Sequence, residues 1–203
     1  MIQAPTLRLI LASASAARRA VLAGAGLRFE SHAAAIDEAA VKTAARADGL
    51  SATNTALLLA DLKARRIAAR DPDALVIGCD QLLVCGDAWF DKPADRAEAR
   101  DHLIRLRGRP HTLITAVLCH RNGQRLWHHV AKPSLTMRPF TDTFLDAYLD
   151  AEADHLTSTV GAYRLEGPGI HLFDRVEGEH AAILGLPLLP LLGFLRQHGI
   201  LGA

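Results

Sequence analysis

LRLILASASAARRAVLAGAG, residues 7–26, passes from an apolar run through a serine-rich turn into a helix. A short apolar run ahead of turn-prone serines predicts a buried strand over residues 7–12. The helix is predicted to start near Ser15 and to stop at Gly24 or Gly26, because glycine accepts the left-handed conformation that closes a helix. At that strand-to-helix turn Ser13 and Ser15 offer hydroxyls, the first helical N–H groups are free, and Arg18 and Arg19 add positive charge. A helix start of this kind favours a bound phosphate. Serine capping beside two solvated arginines accounts for the same residues without a ligand. The stretch lacks GxxxxGK(S/T), which argues against a Walker-type ATPase.

The alternation of strand and helix continues outward. Leu27 to Ser31 reads as a second strand, and residues 38–48 and 53–70 as helices that pause at Asp48-Gly49. ALVIGC, residues 74–79, reads as a strand that delivers Asp80 to its C-terminal end. Gly86-Asp87 and Asn122-Gly123 are hairpin signals, the second flanked by strands over His111–His120 and Arg125–Met137. Helices are predicted over Ala94–Arg107 and Thr141–Ala151, the latter capped by Thr141 or Asp142. A strand at 170–176 and a helix after Pro187 complete the chain. Hairpins exclude an all-parallel sheet, and no repeat or linker divides residues 1–203, so one α/β domain with two lobes is expected.

The 203 residues are half hydrophobic and 22 % charged, with a formal charge of +1. Such balance supplies no footprint for nucleic acid or an anionic membrane, so phosphate chemistry must rest on local charge. Cys79, Cys85 and Cys119 are odd in number and show no CxxC spacing; they read as reduced thiols in buried strands. The run Leu7–Ala12 is too short for a signal-peptide core, and Ile183–Leu195 is interrupted by Gly185, Pro187, Pro190 and Gly193. A cytoplasmic location is therefore expected.

Asp37, Glu38 and Asp80 lie at predicted element ends. An aspartate closing an apolar strand suits a hard cation, since Mg²⁺ takes one or two carboxylates plus phosphate oxygens; Asp80 could equally start a turn. Lys92, in Asp91-Lys92-Pro93, is a surface charge or a phosphate ligand. In GAYRLEG, residues 161–167, Glu166 sits where glycine lets backbone approach a ligand, or it is a solvated carboxylate on a tight turn. His111, His128, His129 and His180 read as structural or solvated.

The order of these motifs resembles the Maf family of nucleotide pyrophosphatases over essentially the whole chain. LASASAARRAVL (11–22) is similar to the family's LASxSPxRRxxLL, IDE (36–38) to its acidic pair, and LKAR (62–65) to its helical lysine. GCDQLLV (78–84), DKP (91–93), LRGRPHTLITAV (106–117), GAYRLEGPG (161–169) and GLPLLPLL (185–192) follow in the family's order. The resemblance implies an elongated, two-lobed α/β fold, of the Maf/ITPase-like kind, with a mixed sheet and a central cleft, commonly a homodimer. It implies that Ser13, Ser15, Arg18, Lys63 and Lys92 hold a nucleoside triphosphate. Glu38 and Asp80 would bind a divalent cation, Mg²⁺ or Mn²⁺, and Asp80 would also accept a proton. The products would be a monophosphate and pyrophosphate.

Three positions bear on the base. Ala17 stands where one branch carries arginine and another tryptophan, and matches neither. Gln81 replaces the threonine of the dTTP/UTP branch, and Glu166 replaces its glutamine; both match the 7-methyl-GTP branch. Removal of 7-methyl-GTP or similar modified nucleotides from the pool is the expected role. The rivals are a dTTP/UTP pyrophosphatase and a nucleotide-sensing regulator of septum formation without turnover.

Overall fold

The computed structural model describes residues 3–4 and 7–202. They form an open, mixed eight-stranded sheet with helices, in strand order β2 (Glu30–Ser31), β1 (Leu9–Leu11), β3 (Leu75–Cys85), β5 (Pro110–Arg121), β7 (Ser134–Met137), β8 (Phe173–Glu177); β4 (Ala88–Phe90) adds to β3 and β6 (Gln124–Ala131) to β5. The chain gathers into two compact units. One takes the chain up to Asp80, Thr115–Ala131 and the segment from Glu179 onward; the other takes Gln81–Ile114 and Lys132–Gly178.

In the first unit, β1 (Leu9–Leu11) runs parallel to β2 (Glu30–Ser31) and to the start of β3 (Leu75–Cys85). Between them lie α1 (Ala16–Gly24), α2 (Glu38–Ala47) and α3 (Ala52–Ala68). Each helix begins on the cap its sequence offers: the Ser15, Asp37 and Ser51 side chains accept backbone N–H groups of Arg18, Ala40 and Asn54, which satisfies donors the first turn leaves open. Alternation along β3 sends Leu75, Ile77 and Cys79 to one face. There they join Leu9 and Leu11 of β1, Leu22 of α1, and Leu191, Phe194 and Leu195 of the last helix (Leu188–Gln197) in an apolar core. Val76, Gly78 and Asp80 take the opposite face, as the period of two requires.

β3 differs from expectation: it does not end at Asp80 but continues to Cys85, turns at Gly86-Asp87 and pairs antiparallel with β4 (Ala88–Phe90). The hairpin signal was legible, but the strand leading into it is the same strand, so Asp80 lies mid-strand and is only 3 % exposed. The expected strand over Leu27–Ser31 shrinks to two residues. The segment 125–137 is two strands, β6 (Gln124–Ala131) and β7 (Ser134–Met137), parted at Lys132-Pro133; both pair with β5 (Pro110–Arg121), β6 at its far end and β7 at its near end.

In the second unit, α4 (Arg96–Leu106) and α5 (Asp142–Ala151) accompany the outer strands, α5 being capped by Thr141. The tail strand β8 is Phe173–Glu177, preceded by a tight helical turn over Pro168–Leu172. The three cysteines are buried and free, as expected. Among the described residues no helix is long and apolar enough to cross a membrane.

His111 is a core residue of the second unit. It is 2 % exposed, its Nε2 lies 2.8 Å from the Tyr163 hydroxyl, and Phe173 packs against both rings. Burial pushes the imidazole down to about 4. The free imidazole titrates near 6.5, so the folded state binds fewer protons than the unfolded chain between these values. The stability that neutral His111 contributes is complete above pH 6.5 and is lost as pH falls toward 4, roughly 3 kcal/mol in all at about 1.4 kcal/mol per unit. Urea midpoints measured from pH 7 to 4.5 are expected to fall more steeply for the wild type than for His111→Phe. Parallel pH dependences would refute the assignment.

Candidate active site

Six of the sequence-predicted residues meet in the first unit. Ser15 caps α1, its Oγ accepting the Arg18 N–H at 3.3 Å. Ser13 is buried, and its Oγ accepts both the Ser15 N–H and Arg18 Nη1 at 3.2 Å. Arg18 also donates from Nη1 to the Cys79 carbonyl at 3.1 Å and from Nε to the Gly185 carbonyl at 2.9 Å. The guanidinium is thus fixed by strand, turn and C-terminal segment, and Nη2 has no protein partner among the described residues. Gly185 is required there: its φ is +96°, and a Cβ would stand 2.9 Å from Arg18 Nε.

Beside this arginine sits an acid–base–acid cluster. Lys63 Nζ, on α3, lies 2.6 Å from Asp80 Oδ1 and 2.7 Å from Glu38 Oε1. Lys63 is buried where its chain-length alone would let it reach solvent. Its position follows from close packing of small residues. A Cβ at Gly78 would stand 2.3 Å from the Ala60 carbonyl oxygen and 2.8 Å from the Ala64 Cβ. With only hydrogen at Gly78, α3 lies directly on β3, and Lys63 is brought level with Asp80 two residues further along the same strand face. Burial raises the Asp80 carboxyl above its ordinary value, against the opposing charges of Lys63 and Arg18. Glu38 is half-buried. Desolvation raises it, but Lys63, with Lys42 and Arg18, outweighs that and leaves it below the usual carboxylate range. Ala17 lies half-buried on the first turn of α1, and Asp37 is the α2 cap rather than a cluster member.

The other three candidates belong to the second unit. Gln81 follows Asp80 on β3, half-buried and on the opposite strand face; Lys92 is exposed in the segment before α4; Glu166 is exposed in the turn that follows Arg164. The Asp91 carbonyl accepts the Gly161 N–H at 3.4 Å, which ties the lysine-bearing segment to the start of that turn.

The family described as Maf-like protein matches residues 8–198. The chain belongs to the Maf family. It is 59 % identical over 192 residues to a nucleoside triphosphate pyrophosphatase of Granulibacter bethesdensis, covering 95 % of this chain and 98 % of that one. The corresponding protein of Rhodospirillum rubrum is 50 % identical over 95 % of each chain. A 7-methyl-GTP pyrophosphatase of Rhizobium meliloti is 48 % identical over 195 residues, 96 % of this chain and 98 % of its own.

A divalent cation, which the resemblance of the sequence to the family implies, fits the residues present. Asp80 Oδ2 is buried without a hydrogen-bond partner, a costly state for a carboxylate oxygen. Glu38 supplies a second hard donor on the same lysine. Among the described residues no group of three or more His, Cys, Asp or Glu converges. Two carboxylates with phosphate oxygens making up the rest is the donor set magnesium commonly takes.

Sequence reading missed two parts of this site. The Gly185 carbonyl gives no signal at the level of side chains. The Gly78 requirement was hidden inside a motif read only for its aspartate. Gly78→Ala is expected to push α3 off β3, costing about 1–3 kcal/mol as an overpacked contact, and to separate Lys63 from Asp80. Thermal unfolding together with turnover measures both; a variant with wild-type stability and rate would show that the close approach is dispensable.

Proposed function

We propose that this Maf protein hydrolyses a nucleoside triphosphate between the α- and β-phosphates, releasing a nucleoside monophosphate and pyrophosphate. The observation that carries the reading is the Glu38–Lys63–Asp80 cluster, in which Lys63 and Asp80 are buried and one Asp80 oxygen is unpartnered, next to an arginine anchored at the start of α1. Relatives that share about half or more of its residues carry the name nucleoside triphosphate pyrophosphatase.

The chain's own residues divide the work. Ser13, Ser15 and the α1 N-terminus offer donors to phosphate oxygens, and Arg18, already held on three sides, presents its charge without further ordering. Lys92 adds charge to the triphosphate. Lys63 pairs with both carboxylates and offsets one of their two charges, which eases their repulsion of each other and of the phosphates. Water adds to one phosphorus of the α–β bridge, the bridging oxygen leaves with the other half, and Asp80 accepts the proton of the water. A buried carboxylate with raised proton affinity is a stronger base than a solvated one. The divalent cation, held by Glu38 and Asp80 when bound, supplies charge neutralisation on the phosphates. We place this activity in the cytoplasm, on the free nucleotide pool, with a homodimer as the working assembly.

For the base we propose 7-methyl-GTP or a related guanine nucleotide, with Glu166 as the selecting residue. The Watson–Crick edge of guanine presents two adjacent donors, N1–H and the exocyclic amine, and a carboxylate accepts both. Thymine and uracil place a carbonyl oxygen beside their single N–H; against a carboxylate that oxygen is unpaired, at about 1–3 kcal/mol. Methylation at N7 makes the ring cationic, which strengthens its attraction to an anion. Ala17 provides no aromatic face and forgoes roughly 0.5–2 kcal/mol of cation–π attraction, so a modest affinity is expected.

Three measurements test the reading. Product analysis should give pyrophosphate, with activity abolished by a chelator and restored by Mg²⁺ or Mn²⁺; orthophosphate and a diphosphate as first products would refute it. Asp80→Asn keeps the shape but removes the basic oxygen, so turnover should fall on the order of a hundredfold or more. Glu166→Gln should shift kcat/KM toward dTTP and UTP. A wild type faster on those pyrimidines than on 7-methyl-GTP at equal low concentration would overturn the role of Glu166.

A further inference from the structure

Glu152, at the C-terminal end of α5, is 3 % exposed. Both of its oxygens are taken by one side chain: Arg164 Nε lies 2.8 Å from Oε2 and Nη2 lies 2.9 Å from Oε1. A buried carboxylate requires such a partner, and the guanidinium fork satisfies both oxygens at once. The turn that follows is folded tightly over the pair. A Cβ at Gly167 would stand 3.1 Å from Arg164 Nη2 and 3.2 Å from Glu152 Oε1, and one at Gly169 would stand 2.3 Å from the Arg164 carbonyl oxygen. Glu166 is exposed on this turn, two residues from Arg164, within electrostatic reach of its guanidinium. Two carboxylates therefore compete for one cation, and the buried one has it.

We propose that Glu152 is a positioning residue for base selection: by holding Arg164 in a bidentate pair it keeps the guanidinium off Glu166 and leaves that carboxylate free for the two donors of guanine. The inference rests on the reading of Glu166 as the base-selecting group. An arginine paired with Glu166 would occupy the acceptor oxygens that guanine needs and would add a positive charge where an N7-methylated ring brings its own. Glu152 thus acts at a distance, through the partner it removes from competition.

The test compares Glu152→Gln, Arg164→Lys, the double variant E152Q/R164Q and Glu166→Gln, on 7-methyl-GTP, GTP, dTTP and UTP. Melting temperatures and a crystal structure of each accompany the kinetics. In Glu152→Gln the guanidinium is expected to turn to Glu166. The guanine-over-pyrimidine ratio of kcat/KM should fall about tenfold, the scale of one charge-assisted pair, through KM and with kcat within about twofold. Arg164→Lys keeps the charge but not the fork, and should give a smaller loss, about threefold. The double variant removes both charges and should restore the ratio to within about twofold of wild type, an outcome that a purely structural role of the pair would not produce. A folded Glu152→Gln with wild-type selectivity, or a double variant as unselective as the single, overturns the proposal. Should Glu152→Gln fail to fold, Arg164→Lys and the double variant decide it. If Glu166→Gln leaves selectivity unchanged, the base-selecting reading fails instead. Even then, a guanidinium that stays in place in the Glu152→Gln structure counts against sequestration on its own.

Discussion

An ammonium group lies between two carboxylates at 2.6 and 2.7 Å, and the candidate site is built outward from it. Asp80 could not be held ionised at this depth alone, because removing a charge from water costs several kcal/mol unless a partner replaces the hydration. Lys63 provides that partner and pairs at the same time with the half-buried Glu38. It can do so only because Gly78, Ala60 and Ala64 remove the side-chain bulk that normally separates a helix from a sheet. Backbone proximity, charge pairing and the orientation of Asp80 are thus one constraint. Changing a residue with no chemistry of its own would disturb the group that has it.

The two units solve the problem of buried charge in parallel ways. In the first, a lysine bridges two acids and one Asp80 oxygen is left open toward chemistry. In the second, Arg164 saturates both oxygens of Glu152, and nothing is left over on the carboxylate. An unsaturated cluster can take a ligand, whereas a saturated one organises its surroundings. Their different exposures fit this division, since Glu38 reaches the surface and Glu152 does not.

Much of this was legible in the residues. Ser15 announced the start of α1, and Asn122-Gly123 announced the β5–β6 hairpin, since these are local rules satisfied within a few residues. Asp80 was recognisable as an acid on a buried strand, but its mid-strand position was not, because a six-residue apolar run ends equally well in a turn or in a further pairing. The protein partner of Lys63 was hidden by distance, since the fold sets it against Asp80, 17 residues on. Glu152 gave no signal at all. An acid at a helix end ordinarily reads as solvated, and its burial depends on an arginine delivered by a later loop.

The anchoring of Arg18 has a consequence for how the molecule is made. Its Nε is held by the carbonyl of Gly185, 167 residues further along the chain. The arginine and the turn that starts α1 leave the ribosome first, and the carbonyl that completes the arginine's anchoring leaves late. A contact of such long range is closed late, after its loop entropy has been offset by the intervening core. Nascent chains that end before Gly185 carry every acidic residue of the site and the Ser13 and Cys79 contacts of the arginine, yet lack its C-terminal anchor. Full anchoring of the guanidinium is therefore acquired only at the end of synthesis.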